Sequence, residues 1–283
     1  MTQTPSIFPR DFFDLKGYEH QDLFQPDAPV WSALDRLSSY LASLFEGNWP
    51  LAGHAGMVTA PLVIVNGKVR KDLAIRATGA ENTVHAFQGD SLVEDAAIIM
   101  PGAYLFDDKI IIGARTVVEP GALIKGPTVI GADTEVRQGA YMRGDCLIGS
   151  KCVVGHTTEV KNSIMLDGAQ AGHFAYIGDS ILGKDVNLGA GTKLANLKMI
   201  PGTVMVAINR KYYNTGRRKL GAILGDQTET GCNSVTSPGT LMKPGSMIYP
   251  GVSVPGGYYP EKSFVMPARG SIEIGSSQPG NSK

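Results

Sequence analysis

The chain has 283 residues, and its 26 Lys plus Arg against 26 Asp plus Glu give a formal net charge of zero. That balance excludes a global electrostatic attraction to nucleic acid or to an anionic membrane, so any charge-based function must come from local clusters. No apolar run approaches a membrane span and Met1 to Arg10 lack a signal-peptide core, so the protein reads as cytoplasmic.

Residues 1–28 are aromatic and Pro-containing without a period, which suits an extended arm or a packing segment. From Pro29, the positions Val30, Leu34, Leu37, Leu41 and Leu44 follow helical spacing. Asp27 and Pro29 supply start chemistry and Gly47 and Pro50 stop signals, predicting a helix over about 29–46. The run Leu62 to Val65 is strand-like and closes on Asn66-Gly67, a hairpin signal. Residues 1–99 thus form a helical and mixed N-terminal segment.

From Ile112 a six-residue period sets in. Ile112, Val118, Ile124, Ile130, Val136, Met142, Ile148, Val154, Val160 and Leu166 are all aliphatic. Four residues after each stands a small one, from Thr116 and Ala122 through Cys146, Cys152 and Thr158, before the pattern loosens at Ile164 and Gln170. A hexapeptide period belongs to parallel β-helices, whose coils stack like positions into inward columns, with small residues near the corners. The 35 Gly suit such corners. The reading is an all-β parallel β-helix over residues 100–260, with coils beginning near Met100 and Phe106. The series resumes at Leu182, Leu188 and Leu194, and again from Leu224 to Val254. The step from Leu166 to Leu182 is 16 residues (182 − 166) where three hexads need 18, which places a two-residue register shift around His173.

An insertion over about 198–220 carries Arg210, Lys211, Arg217, Arg218 and Lys219 beside Tyr212 and Tyr213. It reads either as a solvated loop or as an arm reaching a neighbouring subunit or a phosphate-bearing ligand. Residues 261–283 form a tail that turns Ser-, Gly- and Pro-rich after Ser271, a composition that favours disorder. Cys146 and Cys152 fall in the small-residue column and Cys232 stands apart; buried thiols with no disulfide are expected.

If three hexads close one coil, residues 18 apart stack at about 4.8 Å. Lys125, Arg143 and Lys161 then share an outward column. Stacked like charges repel, which suggests an anion between them, phosphate being the natural one, against the plainer reading of three cations splayed into water. His173 sits at the register shift, where irregular backbone on a rigid scaffold presents side chains, and imidazole can take a proton near neutral pH. Alone, such a histidine is more often packed or capping. His20, His54, His85, His156 and His173 include no pair at close ligand spacing, so no metal site is expected.

Three stretches, Glu159-Val160-Lys161-Asn162-Ser163, Ala171 to Asp179 around His173, and Val186 to Thr192 with Asn196 beyond, carry a family resemblance. They resemble the acetyltransferase domain of the bifunctional glucosamine-1-phosphate acetyltransferase/N-acetylglucosamine-1-phosphate uridylyltransferases. Gly216 to Asp226 resembles related archaeal-type sugar-1-phosphate enzymes. The resemblance implies a left-handed β-helix, a homotrimer with sites between subunits, and acetyl-CoA as co-substrate. It implies His173 as general base with Asn196 near the amine and thioester, and Arg143 and Lys161 on the sugar phosphate. Tyr176 and Asn187 would touch phosphate or sugar, with Lys125 completing the column and Arg217, Arg218 and Lys219 meeting the coenzyme. Where the family continues Asn-Tyr-Asp-Gly toward a substrate-binding lysine, this chain has Asn196-Leu197-Lys198-Met199, so that Lys198 or an arm residue replaces the lysine or it is missing. Residues 1–99 lack the Gly-rich nucleotide signature, so uridylyl transfer is not expected. N-acetylation of an amino-sugar 1-phosphate, foremost glucosamine 1-phosphate, is the leading expectation. The alternatives are a sugar-phosphate-binding scaffold and an acyltransferase for a nucleotide-linked amino sugar.

Overall fold

The computed structural model describes residues 7–47, 49–79, 83–208 and 211–267. Arg210 and the Ser-rich end of the tail, residues 268–283, lie outside the described residues.

The chain winds into a parallel β-helix with three faces. Each coil visits a first face (Val117–Val118, Glu135–Val136, Val153–His156, Gln170–His173, Asn187–Leu188), then a second (Leu123–Lys125, Tyr141–Arg143, Glu159–Lys161, Tyr176–Gly178, Lys193–Leu194). It then visits a third (Thr128–Ile130, Cys146–Ile148, Ser163–Met165, Ile181–Leu182, Ala222–Leu224). The inward columns fill one continuous core. Cys146 and Cys152 are buried in it, each thiol donating to backbone carbonyls, and burial pushes both up to about 12.

The register shift differs from the expected one. Ile148 pairs with Met165 rather than Leu166, and Met165 with Leu182. The two-residue shortfall is therefore two separate deletions, in the five-residue steps Val160 to Met165 and Ile177 to Leu182. Both fall at the corner from second to third face, at Asn162 and Asp179, whose φ of 44° and 49° lies in the left-handed region that Asn and Asp tolerate. Rephased, the small column does not loosen, since Ser163, Ala169, Ala175 and Ser180 continue it buried. At the start, Ile99 and Leu105 hold the inward places expected of Met100 and Phe106, pairing with Val118 and Ile124.

The outward positions of the third face are apolar as well: Val129, Leu147, Ile164, Ile181, Ile223 and Leu241. A strand apolar on both sides must be covered on both sides, and the N-terminal segment does this. The helix Ser32–Leu44 buries Leu34, Leu37 and Leu41 against that face, flanked by Phe12, Phe13 and Phe24. The segment is thus integral packing. Leu37→Ala is expected to cost about 2–5 kcal/mol, read as a lowered urea midpoint.

His20 docks in the same cover with its ring nitrogen 2.8 Å from the Tyr40 hydroxyl, and burial lowers its pKa, partly offset by Glu19. The folded state therefore binds fewer protons than an unfolded chain titrating near about 6.5. The stability is complete above that value and lost as pH falls below it. The urea midpoint is expected to drop between about pH 7.5 and pH 5, and His20→Gln to remove part of that drop; identical slopes would refute the assignment.

The hairpin predicted at Asn66-Gly67 joins Leu62–Val65 to Lys68–Arg70 and caps the first coils. The basic insertion is more than a solvated loop: it carries an antiparallel strand pair, Met205–Ile208 with Lys211–Asn214. Its Val204, Val206 and Ile208 are buried with the N-terminal cover. Among the described residues no helix is long and apolar enough to cross a membrane.

Candidate active site

The two shortened corners gather a polar cluster. In each deleted turn a short polar side chain holds the left-handed position, and the two stack, the Asn162 amide donating to Asp179 Oδ1 at 2.7 Å. Asp179 is 3% exposed. Its second oxygen accepts from Lys161 Nζ at 3.3 Å and from the Asn196 amide at 2.5 Å. Arg217, delivered by the hairpin insertion, lies 3.8 Å from Oδ1. Tyr176 donates its hydroxyl to Asn196 Oδ1 at 3.4 Å, and burial, then Glu159 and Asp179, raise its pKa, keeping the phenol a neutral donor. Gly178 is required at this point: a Cβ there would lie 2.6 Å from the Tyr176 hydroxyl and 2.7 Å from the Asn196 amide. One corner thereby holds Lys161, Tyr176 and Asn196 together around a buried carboxylate.

The cation column runs up to this cluster along the second face. Lys125 pairs in register with Arg143, and Met142 with Val160, which puts Lys161 next. Each cation also has a partner within the chain. Lys125 lies 4.5 Å from the Phe106 ring centroid and 5.5 Å from that of Tyr141. Arg143 bonds Glu159 at 2.7 Å, which raises its pKa further, and Lys161 has Asp179. Acidic and aromatic neighbours supply the compensation that the spacing alone assigned to an anion, while Arg143 itself stays exposed.

His173 stands at the corner between the first and second faces, at the end of Gln170–His173 on the first and opposite the corner that holds Asp179. Its backbone is pinned: the carbonyl accepts from Gly191 N–H at 3.1 Å, and Phe174 N–H donates to the His156 carbonyl at 2.7 Å. The imidazole is exposed beside the Phe174 ring, centroids 6.0 Å apart. His156 is its partner in the preceding coil, a pairing that the 17-residue spacing hides. Asn187 is exposed on the same first face, in register with Gln170. Within one chain the expected residues therefore fall into two groups, His173 and Asn187 on the first face, and Arg143, Lys161, Tyr176 and Asn196 on the second and its far corner.

The remaining expected residues scatter. Lys198 donates to the Thr203 carbonyl at 3.0 Å within the insertion. Arg218 and Lys219 are exposed, whereas Arg217 turns inward between Asp179 and Asp35. Asp179, Asn162 and Asp35 escaped the sequence reading as site residues. The signal for the first two was available, because both occupy the five-residue steps. Among the described residues no group of three or more His, Cys, Asp or Glu gathers for a metal.

The chain is similar in sequence to known proteins over part of its length. Residues 124–232 match the family model described as the GMPPB C-terminal domain. A bifunctional sugar-1-phosphate nucleotidylyltransferase/acetyltransferase from Sulfurisphaera tokodaii is 41% identical over 101 residues, 36% of this chain and 25% of that protein. The bifunctional protein GlmU of Methanococcus maripaludis is 41% identical over 88 residues, 31% of this chain and 21% of its own length. That of Methanocaldococcus jannaschii is 39% identical over 89 residues, 31% of this chain and 22% of its own. The chain spans a quarter or less of the length of these curated relatives. Over about a third of its length the chain is similar to the C-terminal part of the bifunctional sugar-1-phosphate nucleotidylyltransferase/acetyltransferases.

Proposed function

We infer that this chain is an acetyl-CoA-dependent N-acetyltransferase whose acceptor is an amino-sugar 1-phosphate, foremost glucosamine 1-phosphate. The observation that carries the reading is the convergence of Arg143, Lys161, Tyr176 and Asn196 on one polar corner and face of a helix homologous to those enzymes. Arg143 and Lys161 hold the sugar phosphate by charge-assisted hydrogen bonds, exchanging part of their hold on Glu159 and Asp179 for it.

The chemistry assigns His173 the remaining task. The neutral amine attacks with its lone pair, and His173 takes the proton that the nitrogen must lose as it adds to the thioester carbonyl. A backbone N–H receives the oxyanion. The C–S bond then breaks, the amide forms, and coenzyme A leaves as the thiol with the proton returned. Arg218 and Lys219, both exposed, suit the coenzyme's phosphates.

His173 and the phosphate cations lie on adjacent faces, so a site uniting them forms between subunits, the first face of one against the second face of the next. The third face is closed by the chain's own N-terminal segment. A homotrimer satisfies both conditions. Thiol release from acetyl-CoA in the presence of glucosamine 1-phosphate is the expected result. The departure from the family pattern at Asn196-Leu197-Lys198-Met199 favours a second reading, a sugar-phosphate-binding scaffold. Calorimetric binding of the sugar phosphate with no turnover on free, phosphorylated or nucleotide-linked amino sugars would establish that one instead.

A further inference from the structure

We propose that Arg217 is a positioning residue, and that the N-terminal helix sets the sugar-phosphate corner through the line Asp35, Arg217, Asp179. The proposal rests on the functional reading above for its effect on substrate. The line itself rests on geometry alone.

At the corner where the other coils turn in a few residues, this chain inserts everything between Leu194 and Leu224. The insertion returns with its backbone fixed around Arg217. Val204 N–H donates to the Arg217 carbonyl at 2.7 Å, the Thr215 hydroxyl accepts from Arg217 N–H at 3.3 Å, and Arg217 Nε donates to the Lys219 carbonyl at 3.1 Å. The two terminal nitrogens then diverge. One meets Asp35 on Ser32–Leu44, and the other lies 3.8 Å from Asp179. The Arg217 side chain is only 13% exposed, which leaves it poorly placed to meet a coenzyme phosphate.

The charges explain why such a line matters. Asp179 is shared by two cations, Lys161 and Arg217. While Arg217 neutralises part of that carboxylate, Lys161 is held loosely enough, at 3.3 Å, to turn toward a substrate phosphate. With Arg217 removed or misdirected, Asp179 draws Lys161 in as its sole cation, and the Asn196 and Tyr176 pair attached to the same carboxylate shifts with it. A planar fork reaches two carboxylates at once where an ammonium does not, so Lys is a poor substitute here.

Two measurements test this. In the first, KM for glucosamine 1-phosphate and KM for acetyl-CoA are determined for native chain, Asp35→Asn, Arg217→Lys and Arg217→Met, with the calorimetric Kd of the sugar phosphate alongside. Positioning predicts a rise of about 2- to 30-fold for the sugar phosphate with the coenzyme value unchanged. A rise confined to acetyl-CoA would overturn the proposal in favour of direct coenzyme contact. In the second, a double-mutant cycle of Asp35→Asn and Asp179→Asn is followed by urea unfolding. Coupling through Arg217 predicts losses that depart from additivity by about 2- to 100-fold in the unfolding constant, and strict additivity would break the line. If the native chain neither binds nor acetylates the sugar phosphate, the functional reading fails while the cycle still decides the line.

Discussion

His173→Ala is expected to lower kcat by about 10²–10⁴-fold while leaving the fold intact. The side chain is exposed at a strand end whose backbone is anchored by bonds from Gly191 and to His156 that do not involve the imidazole. Its removal therefore deletes a proton acceptor and little packing, and the urea midpoint should move by no more than about 0.5 kcal/mol in stability. The KM for the sugar phosphate should stay within a few-fold, because Arg143 and Lys161, the cations proposed to hold the phosphate, lie on the second face. Steady-state thiol release by the variant at saturating substrates checks this. A variant within tenfold of the native kcat would remove His173 from its role.

Asp179→Ala should be the most destabilising change at the site, by about 3–5 kcal/mol. It strips the anion from between Lys161 and Arg217 and the acceptor from Asn162 and Asn196 at a position only 3% exposed. Breaking a buried pair from one side leaves an uncompensated charge, a larger penalty than the pair's own net worth. Asp179→Asn keeps one acceptor and should fall at the lower end. The surface pair Arg70 with Asp72, bonded at 2.5 Å but solvated, is the control: Asp72→Ala should leave the urea midpoint nearly unmoved despite the short contact. Urea unfolding of the three variants ranks them, and equal costs at Asp179 and Asp72 would contradict the burial argument.

The helix itself was legible because β geometry imposes its period on whatever fills the interior, and the 18-residue stack placed Lys125 against Arg143 correctly. The register error had a physical cause. Ile164, Met165 and Leu166 are all apolar because the third face is buried on both sides, so no alternation marks which one points inward. Ile98, Ile99 and Met100, on the first face, are likewise all apolar, because Ile98 packs outward with Val63 and Ala86 while Ile99 fills the interior. That two-sided character also announced a covering layer, in runs such as Cys146-Leu147-Ile148 and Ala222-Ile223-Leu224, and the N-terminal helix supplies it. At the site, the placement of Asp179 was readable from its five-residue step, whereas its contacts were not. Two of its partners, Asn196 and Arg217, come from beyond the next strand and from an aperiodic insertion, and no local pattern encodes such contacts.

We propose that this corner selects a phosphorylated amino sugar for acetylation. Thiol release on glucosamine 1-phosphate and on glucosamine, compared as kcat/KM for native chain and Arg143→Ala, tests it most directly. A charge-assisted contact to phosphate predicts that the native chain prefers the phosphorylated sugar by about ten- to a hundredfold, and that Arg143→Ala loses most of that preference. Equal kcat/KM on the two sugars, or a preference untouched by Arg143→Ala, would contradict the account.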